Sequence, residues 1–417
     1  MKYYLYLLYV GLLTCHLYPS FGAIDKIGFQ WLLISIIALL FFLVAFINKD
    51  FIKIFSNQIN SYKLLYFSFL GFVLISFLST LFSYNQYESL ITSQRYLLIL
   101  FILSFFHFFF NRLELKKRVF INTIIILLFV EVIVSFILIF VDLKQDNFSL
   151  RKPIYAGFAS NVNILSSLIL PKIPILLYKF LSSKSLTIKG FCLGLFTLSS
   201  FVLFSLGSRI TFLILMLFFI VFLATIFCEK TLKERIKASL VLTFLVFVSC
   251  INFSIINGIN NRDGGILTKR LESTVDLSGE SSGSRLRYYK LSLDLFKKNP
   301  ILGIGSGQWK LYSIDLDKQN IRNYIIPYHS HNDYLQILAE LGLIGLIAYL
   351  TILFYPFKIA MLQVFKGSKY HLFILMSVIA FLMDSLINFP IARPVNQILL
   401  MLFISFLISQ KPESKEV

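Results

Sequence analysis

His329-Ser330-His331-Asn332-Asp333-Tyr334-Leu335-Gln336-Ile337-Leu338-Ala339-Glu340-Leu341-Gly342-Leu343-Ile344-Gly345 opens an apolar segment covering residues 333–357. A polar turn followed by an apolar stretch of that length reads as a membrane-crossing helix. It places two histidines and an amide at the mouth of the helix. Titratable groups in such a position need a reason to exist, because hydrocarbon penalises them. An imidazole can take a proton from a hydroxyl near neutral pH, so this turn can host general-base chemistry.

The same apolar pattern recurs along the chain. Of 417 residues, 57% are hydrophobic and 14% are charged, whereas a soluble domain carries about 25% charged residues. A crossing takes roughly 17–25 apolar residues. About twelve segments qualify, near 3–20, 30–48, 64–84, 91–110, 119–141, 156–181, 188–206, 209–228, 236–256, 333–357, 370–389 and 394–410. The expected fold is therefore an all-α polytopic membrane protein. Segments 188–206 and 209–228 meet at Gly207-Ser208-Arg209, a turn too tight for any loop. The first segment also has the look of a signal peptide, with Lys2 as its basic start and Gly22-Ala23 near a cleavage site. Many further apolar segments follow it, which favours a retained helix. The richness in Phe and Leu reads as lipid-facing bulk.

A formal charge of +18 suggests a nucleic-acid partner at first sight. The basic residues, however, are spread through short loops between apolar segments, the pattern of orientation signals, so no nucleic-acid binding is expected. Loops 49–63, 111–118, 179–189, 229–237 and 358–369 are rich in Lys and Arg. They alternate with the poorer connections 21–29, 85–90, 142–155 and 390–393. This alternation predicts cytoplasmic termini and an outward-facing segment from about 257 to 332. In a bacterium it would lie on the periplasmic side of the inner membrane. The chain then divides into 1–256 with nine helices, the loop 257–332, and 333–417 with three. Cys15, Cys192, Cys228 and Cys250 show no CxxC or Cys/His spacing, so neither a disulfide framework nor a metal site is supported.

Within the large loop, Asn257 to Gly283 reads as irregular chain and Ser284 to Lys298 as a helix. Leu286, Tyr289, Leu293 and Phe296 share one face of that helix, and Asn299-Pro300 stops it. Gly303-Ile304-Gly305-Ser306-Gly307 permits a tight turn. Short helices inside a large loop complete the expected architecture.

Three polar features stand out. His331 is the candidate base, with His329 and Asn332 beside it and Glu340 deeper in the same helix. The bland reading is a helix-packing histidine. Glu340 is nine residues from His331, about half a turn out of phase and roughly 13 Å along a straight helix, so a structural role is assigned to it. Gly342 and Gly345 give a flat stripe where another helix can approach. Arg209 stands at a junction of two apolar segments. It is either an interfacial anchor or a ligand for a diphosphate, whose oxygens suit the guanidinium fork. Arg285 and Arg287 open the loop helix, where backbone N–H groups attract anions. The alternative there is a solvated face, and Arg287 points to a different side from Arg285. Asp315-Leu316-Asp317 has the form of a metal-binding Asp-x-Asp but is short enough to arise by chance. Gly303-x-Gly305-x-Gly307 lacks the βαβ context of a dinucleotide fingerprint.

Three segments resemble the O-antigen ligase and polymerase superfamily of bacterial membrane glycan transferases. They are His331-Asn332 with Glu340 and Gly342-x-x-Gly345; Ser208-Arg209 at the start of an apolar helix; and Arg285, Pro300 and Gly303-x-Gly305. The resemblance implies inverting, metal-independent and cofactor-free glycan transfer from an undecaprenyl-diphosphate carrier to lipid A–core or another glycan at the periplasmic face. It gives His331 the catalytic role. Arg209, Arg285, Arg287, His329 and Asn332 then bind substrate, while Glu340, Gly342 and Gly345 are structural. Ligation to lipid A–core is the leading expectation, with glycan polymerisation and transfer to protein as alternatives within the class. A flippase or exporter would also have many helices, but it should show charges within several spans and internal pseudo-symmetry. Here Arg95, Glu131, Lys172 and Asp384 are the few intramembrane charges.

Overall fold

The computed structural model describes residues 2–15, 17, 25–47, 56, 59–145, 147–159, 161–227, 231–259, 267–268, 280–320 and 326–410. Among these the regular structure is all helical, without a strand. In chain order the helices are α1 (Lys2–Thr14), α2 (Lys26–Ile47), α3 (Lys63–Ser79), α4 (Gln86–Asn111), α5 (Lys116–Lys144), α6 (Val162–Ile169), α7 (Ile173–Ser182) and α8 (Leu186–Leu206). They continue with α9 (Arg209–Phe227), α10 (Leu232–Ile259), α11 (Glu280–Lys298), α12 (Trp309–Leu316), α13 (Asp333–Phe365), α14 (Lys369–Ile387) and α15 (Pro394–Ser409). Among the described residues, nine spans are long and apolar enough to cross a membrane, and Tyr3–Thr14, Arg209–Ala224 and Pro394–Ser409 are shorter apolar helices. The chain is a multi-pass membrane protein. The candidate cleavage site Gly22-Ala23 and most of 257–283 lie outside the described residues. At the edges of the latter, α10 runs on to Ile259 and α11 already begins at Glu280.

The chain forms two compact units. The first comprises Met1–Lys116, Glu280–Ser368 and Asp384–Val417. Its core corrects one expectation. The phenylalanines of α4 are not lipid-facing: Phe105, Phe106, Phe108, Phe109 and Phe110 are buried. An all-round apolar helix is stable when other elements surround it. Here Tyr9 of α1 stacks on Phe109 at 4.2 Å, Phe41 of α2 meets Phe105 at 5.1 Å, and Phe406 of α15 meets Phe110 at 5.4 Å.

α13 is broken. Gly342 takes φ 65° and ψ −165°, a region that only glycine enters readily. The break frees backbone groups, and buried polar groups need partners. The 300–305 turn supplies them. Ile304 and Gly305 N–H donate to the Ala339 and Glu340 carbonyls at 3.0 and 2.9 Å. Leu343 N–H donates to the Pro300 carbonyl at 2.9 Å. A side chain on Gly342 would collide with the Ile301 backbone. The close approach anticipated at Gly342 is therefore made by a loop, not by another helix.

The second unit comprises Lys117–Gly279 and Lys369–Met383. Two of the intramembrane charges neutralise each other there. Lys172 donates to both carboxylate oxygens of Glu131 at 2.7 Å in a fully buried pair. Removing one partner from such a pair leaves an uncompensated charge, so the two are retained or lost together.

Candidate active site

The first unit builds a polar turn in front of α13. Asn332 is its N-cap: the side-chain oxygen accepts from Leu335 N–H at 3.0 Å, satisfying a donor the helix cannot. Ser330 Oγ donates to the Asn332 carbonyl at 2.7 Å and accepts from Asn332 N–H at 3.2 Å. His331, held between them, has φ 58°. From α11, the Tyr289 hydroxyl lies 3.2 Å from the carbonyl oxygens of both His331 and Leu386. Asp333 Oδ2 accepts from Ile391 N–H at 3.0 Å and draws the turn before α15 against the start of α13.

That contact brings Phe389 and Arg393 to the histidines. His329 stacks on Phe389 at 4.3 Å, and His331 meets its edge at 5.0 Å. The Arg393 guanidinium lies 4.6 Å from the centre of the same ring. Tyr288 lies parallel to the His331 ring at 6.4 Å. Nδ1 of each histidine is buried and has no hydrogen-bond partner among the described residues. Burial lowers the His331 pKa to about 4, and the charges of Arg285 and Arg393 push the same way. His329 is lowered to about 3 by burial, then by Arg393 and His331, against a hydrogen bond with Gln336 that favours the cation. Both imidazoles are therefore neutral at pH 7. Arg393 is itself lowered to about 10 by burial and stays a cation.

A second layer fixes this turn. Glu340 is buried, and its carboxylate accepts from Gly307 N–H at 2.8 Å, Trp309 N–H at 3.2 Å and the Gln336 amide at 3.3 Å. The Gln336 oxygen accepts from Ser330 N–H at 3.3 Å, so a hydrogen-bonded chain links the histidine turn to the start of α12. Trp309 Nε1 donates to Ser292 Oγ of α11 at 2.8 Å. The hydroxyl of Ser306 is enclosed by those of Ser79, Ser89 and Ser93 at 3.3, 2.9 and 3.0 Å.

The face of α11 that packs on Trp309 is not the one that carries Leu286 and Leu293. Ser292 and Leu295 are buried near Trp309, with Tyr288 packed beside them, whereas Leu286 and Leu293 are exposed. Arg285 stands close enough to His331 for its charge to be felt there. Arg287 is directed elsewhere, to Asp317 at 3.5 Å, which also engages one carboxylate of the Asp-x-Asp.

Arg209 belongs to the second unit. α8 ends at Gly207 with φ 53° and ψ 34°, its N–H bonded to the Leu203 and Phe204 carbonyls, and Arg209 opens α9. Arg151, itself at φ 64°, donates to the Gly207 carbonyl at 3.0 Å and to Asn163 Oδ1 at 3.2 Å. A cation on the C-terminal end of a helix is favourable, so Arg151 steadies the turn that presents Arg209.

The sequence reading missed Arg151, Arg393, Phe389 and Tyr289. The two arginines lie in connections distinguished only by their low positive charge, and no local pattern sets them apart. The serine cluster around Ser306 had a faint signal, since Ser89 and Ser93 recur at helical spacing.

The fold and this turn define a polytopic membrane protein with a neutral histidine and arginines at the end of a broken helix. A family model described as O-antigen ligase matches residues 194–350. The match contains Arg209, Arg285, His329, His331, Asn332 and Glu340, and excludes Arg151 and Arg393. A Rickettsia conorii protein provisionally named a polysaccharide ligase is 26% identical over 322 residues, covering 72% of this chain and 69% of the relative. Both findings support the O-antigen ligase superfamily and an O-antigen ligase-like function.

Proposed function

We propose that this protein transfers a glycan from an undecaprenyl-diphosphate carrier to a hydroxyl of lipid A–core, at the periplasmic face of the bacterial inner membrane. The observation that carries the reading is the neutral imidazole of His331 close to two arginines. A hydroxyl is a poor nucleophile while protonated. His331 takes its proton as the oxygen attacks the anomeric carbon from the side opposite the leaving group, which inverts the configuration. The leaving diphosphate gains negative charge as the sugar bond breaks, and arginines can neutralise it through paired charge-assisted hydrogen bonds. Arg209 and Arg285 are the candidates for that role in this reading, and Arg393 adds to the positive field around His331. No metal enters the reaction as proposed.

Burial makes His331 a weak base, and Arg285 and Arg393 weaken it further by repelling its proton. A diphosphate beside Arg285 and Arg393 offsets their charge and raises the basicity of His331, which couples donor binding to activation of the acceptor.

The surface glycan of a deletion strain tests the activity. Long chains accumulating on the carrier, with bare lipid A–core, are expected. Core capped by a single repeat unit would identify a polymerase, and unchanged glycan would remove the reading. The proposed orientation is tested by single cysteines at Ser281 and Ser183. An impermeant reagent outside the cell should label the first, and labelling of the second alone would overturn the assignment.

A further inference from the structure

α13 is too long for a single crossing. Its 33 residues span about 50 Å, against roughly 30 Å of hydrocarbon. Asp333, Gln336 and Glu340, before the break at Gly342, are buried in protein, whereas Leu343, Ile344 and Ile347 just beyond it are exposed. Gly342 therefore marks where α13 begins to expose apolar side chains. The chain bonded to it at that level is the 300–302 turn, where Ile301 is 63% exposed and Leu302 is also exposed. α11 leads into that turn. Its outward face carries Leu286, Lys290, Leu293 and Lys297 at spacings of four, three and four, all exposed. Tyr289 ties α11 to the Leu386 carbonyl, one residue from the end of α14, itself a candidate crossing. Two candidate crossings thus hold α11 and the turn that follows it.

We infer that residues 286–302 form an interfacial lipid-binding surface. Leu286, Leu293, Ile301 and Leu302 enter the edge of the acyl region, and Lys290 and Lys297 meet the phosphates of anionic headgroups. The apolar part continues the lipid-facing surface of α13 without a gap, and lysines beside it suit anionic lipid. Lys297 also lies 3.8 Å from Asp294, an exposed pair that headgroups can readily exchange. The surface carries the Tyr289 contact to His331, so lipid would help to hold the histidine turn.

The test uses the full chain in nanodiscs, with its four cysteines replaced by serine. A polarity-sensitive fluorophore is attached to one new cysteine at Leu293, Ile301 or Asp294. Brominated acyl chains should quench the labels at Leu293 and Ile301 several-fold more than the label at Asp294, with aqueous iodide showing the reverse order. Iodide quenching of all three alike would overturn the inference. So would chain-to-chain crosslinking through the Leu293 position, which would mark a second copy as the occupant. Lipid quenching at Leu293 should rise with anionic lipid, and Lys290→Gln with Lys297→Gln should abolish that rise. Quenching indifferent to lipid charge would refute the headgroup contact.

Discussion

The turns at Gly207 and His331 share a positive φ, 53° and 58°, and differ in what holds it there. At Gly207 the left-handed region carries no Cβ penalty, and the turn closes α8 through its own N–H. At His331 a positive φ costs about 1–2 kcal/mol for a residue with a Cβ. The penalty is borne by Tyr289, Ser330 and the Asn332 cap, which surround the residue on both sides. The turn presenting Arg209 is thus specified by residue type, and the turn presenting His331 is imposed by packing. Strain held in place by neighbours is a feature of functional sites, and here it falls on the proposed base.

The largest test of this contrast replaces His331. His331→Ala should lower glycan transfer by roughly 10²–10⁴-fold, the range of a positioned base, with carrier-linked donor still bound. His331→Gly should be equally inactive yet more stable than the alanine variant by about 1 kcal/mol, because glycine relieves the strained φ. Thermal melting in detergent reads that difference, and equal stability would mean that the turn is unstrained. Normal transfer by His331→Ala at saturating donor would make the imidazole a binding group.

Next in size, Arg209→Ala should cost on the order of 10²–10³ in rate. Arg209→Lys should recover little of it, since a point charge cannot pair bidentately. Full recovery by lysine would reduce Arg209 to a membrane anchor.

A smaller effect is expected at the relaxed turn. Gly207→Ala keeps every charge but adds a Cβ 3.0 Å from Leu150 and 3.2 Å from Arg151. The strained φ should lower stability by about 1–2 kcal/mol, and misaimed Arg209 should reduce turnover at the same time. Loss of stability with unchanged turnover would separate the turn from catalysis.

The mildest test is pH. A base acts only when unprotonated, so activity falls as pH drops through its pKa. For free enzyme, kcat/KM should hold down to a limb near the His331 value of about 4. With donor bound, the arginine charges are offset and the limb in kcat should move up, while burial still holds it below the ordinary histidine value. Arg393→Gln should raise the kcat/KM limb in the same direction. Identical limbs in kcat and kcat/KM would contradict the coupling of donor to base.

Much of the architecture was legible because its signals act locally. Hydropathy marks a membrane helix within one segment, and Gly207 marks a helix end within one turn. The burial of the α4 phenylalanines was not legible, since lipid and protein interior are equally apolar and composition cannot distinguish them. Which face of α11 packs inward was not legible either: Trp309 and Ser292 meet through a hydrogen bond that no apolar period records. Arg393 reaches the histidines only because Ile391 N–H finds the Asp333 carboxylate 58 residues away in the chain. Residue type and period determined where helices run and where they may turn. Which polar groups share a turn was decided by tertiary packing, because a buried donor is satisfied by whichever acceptor the fold brings near it.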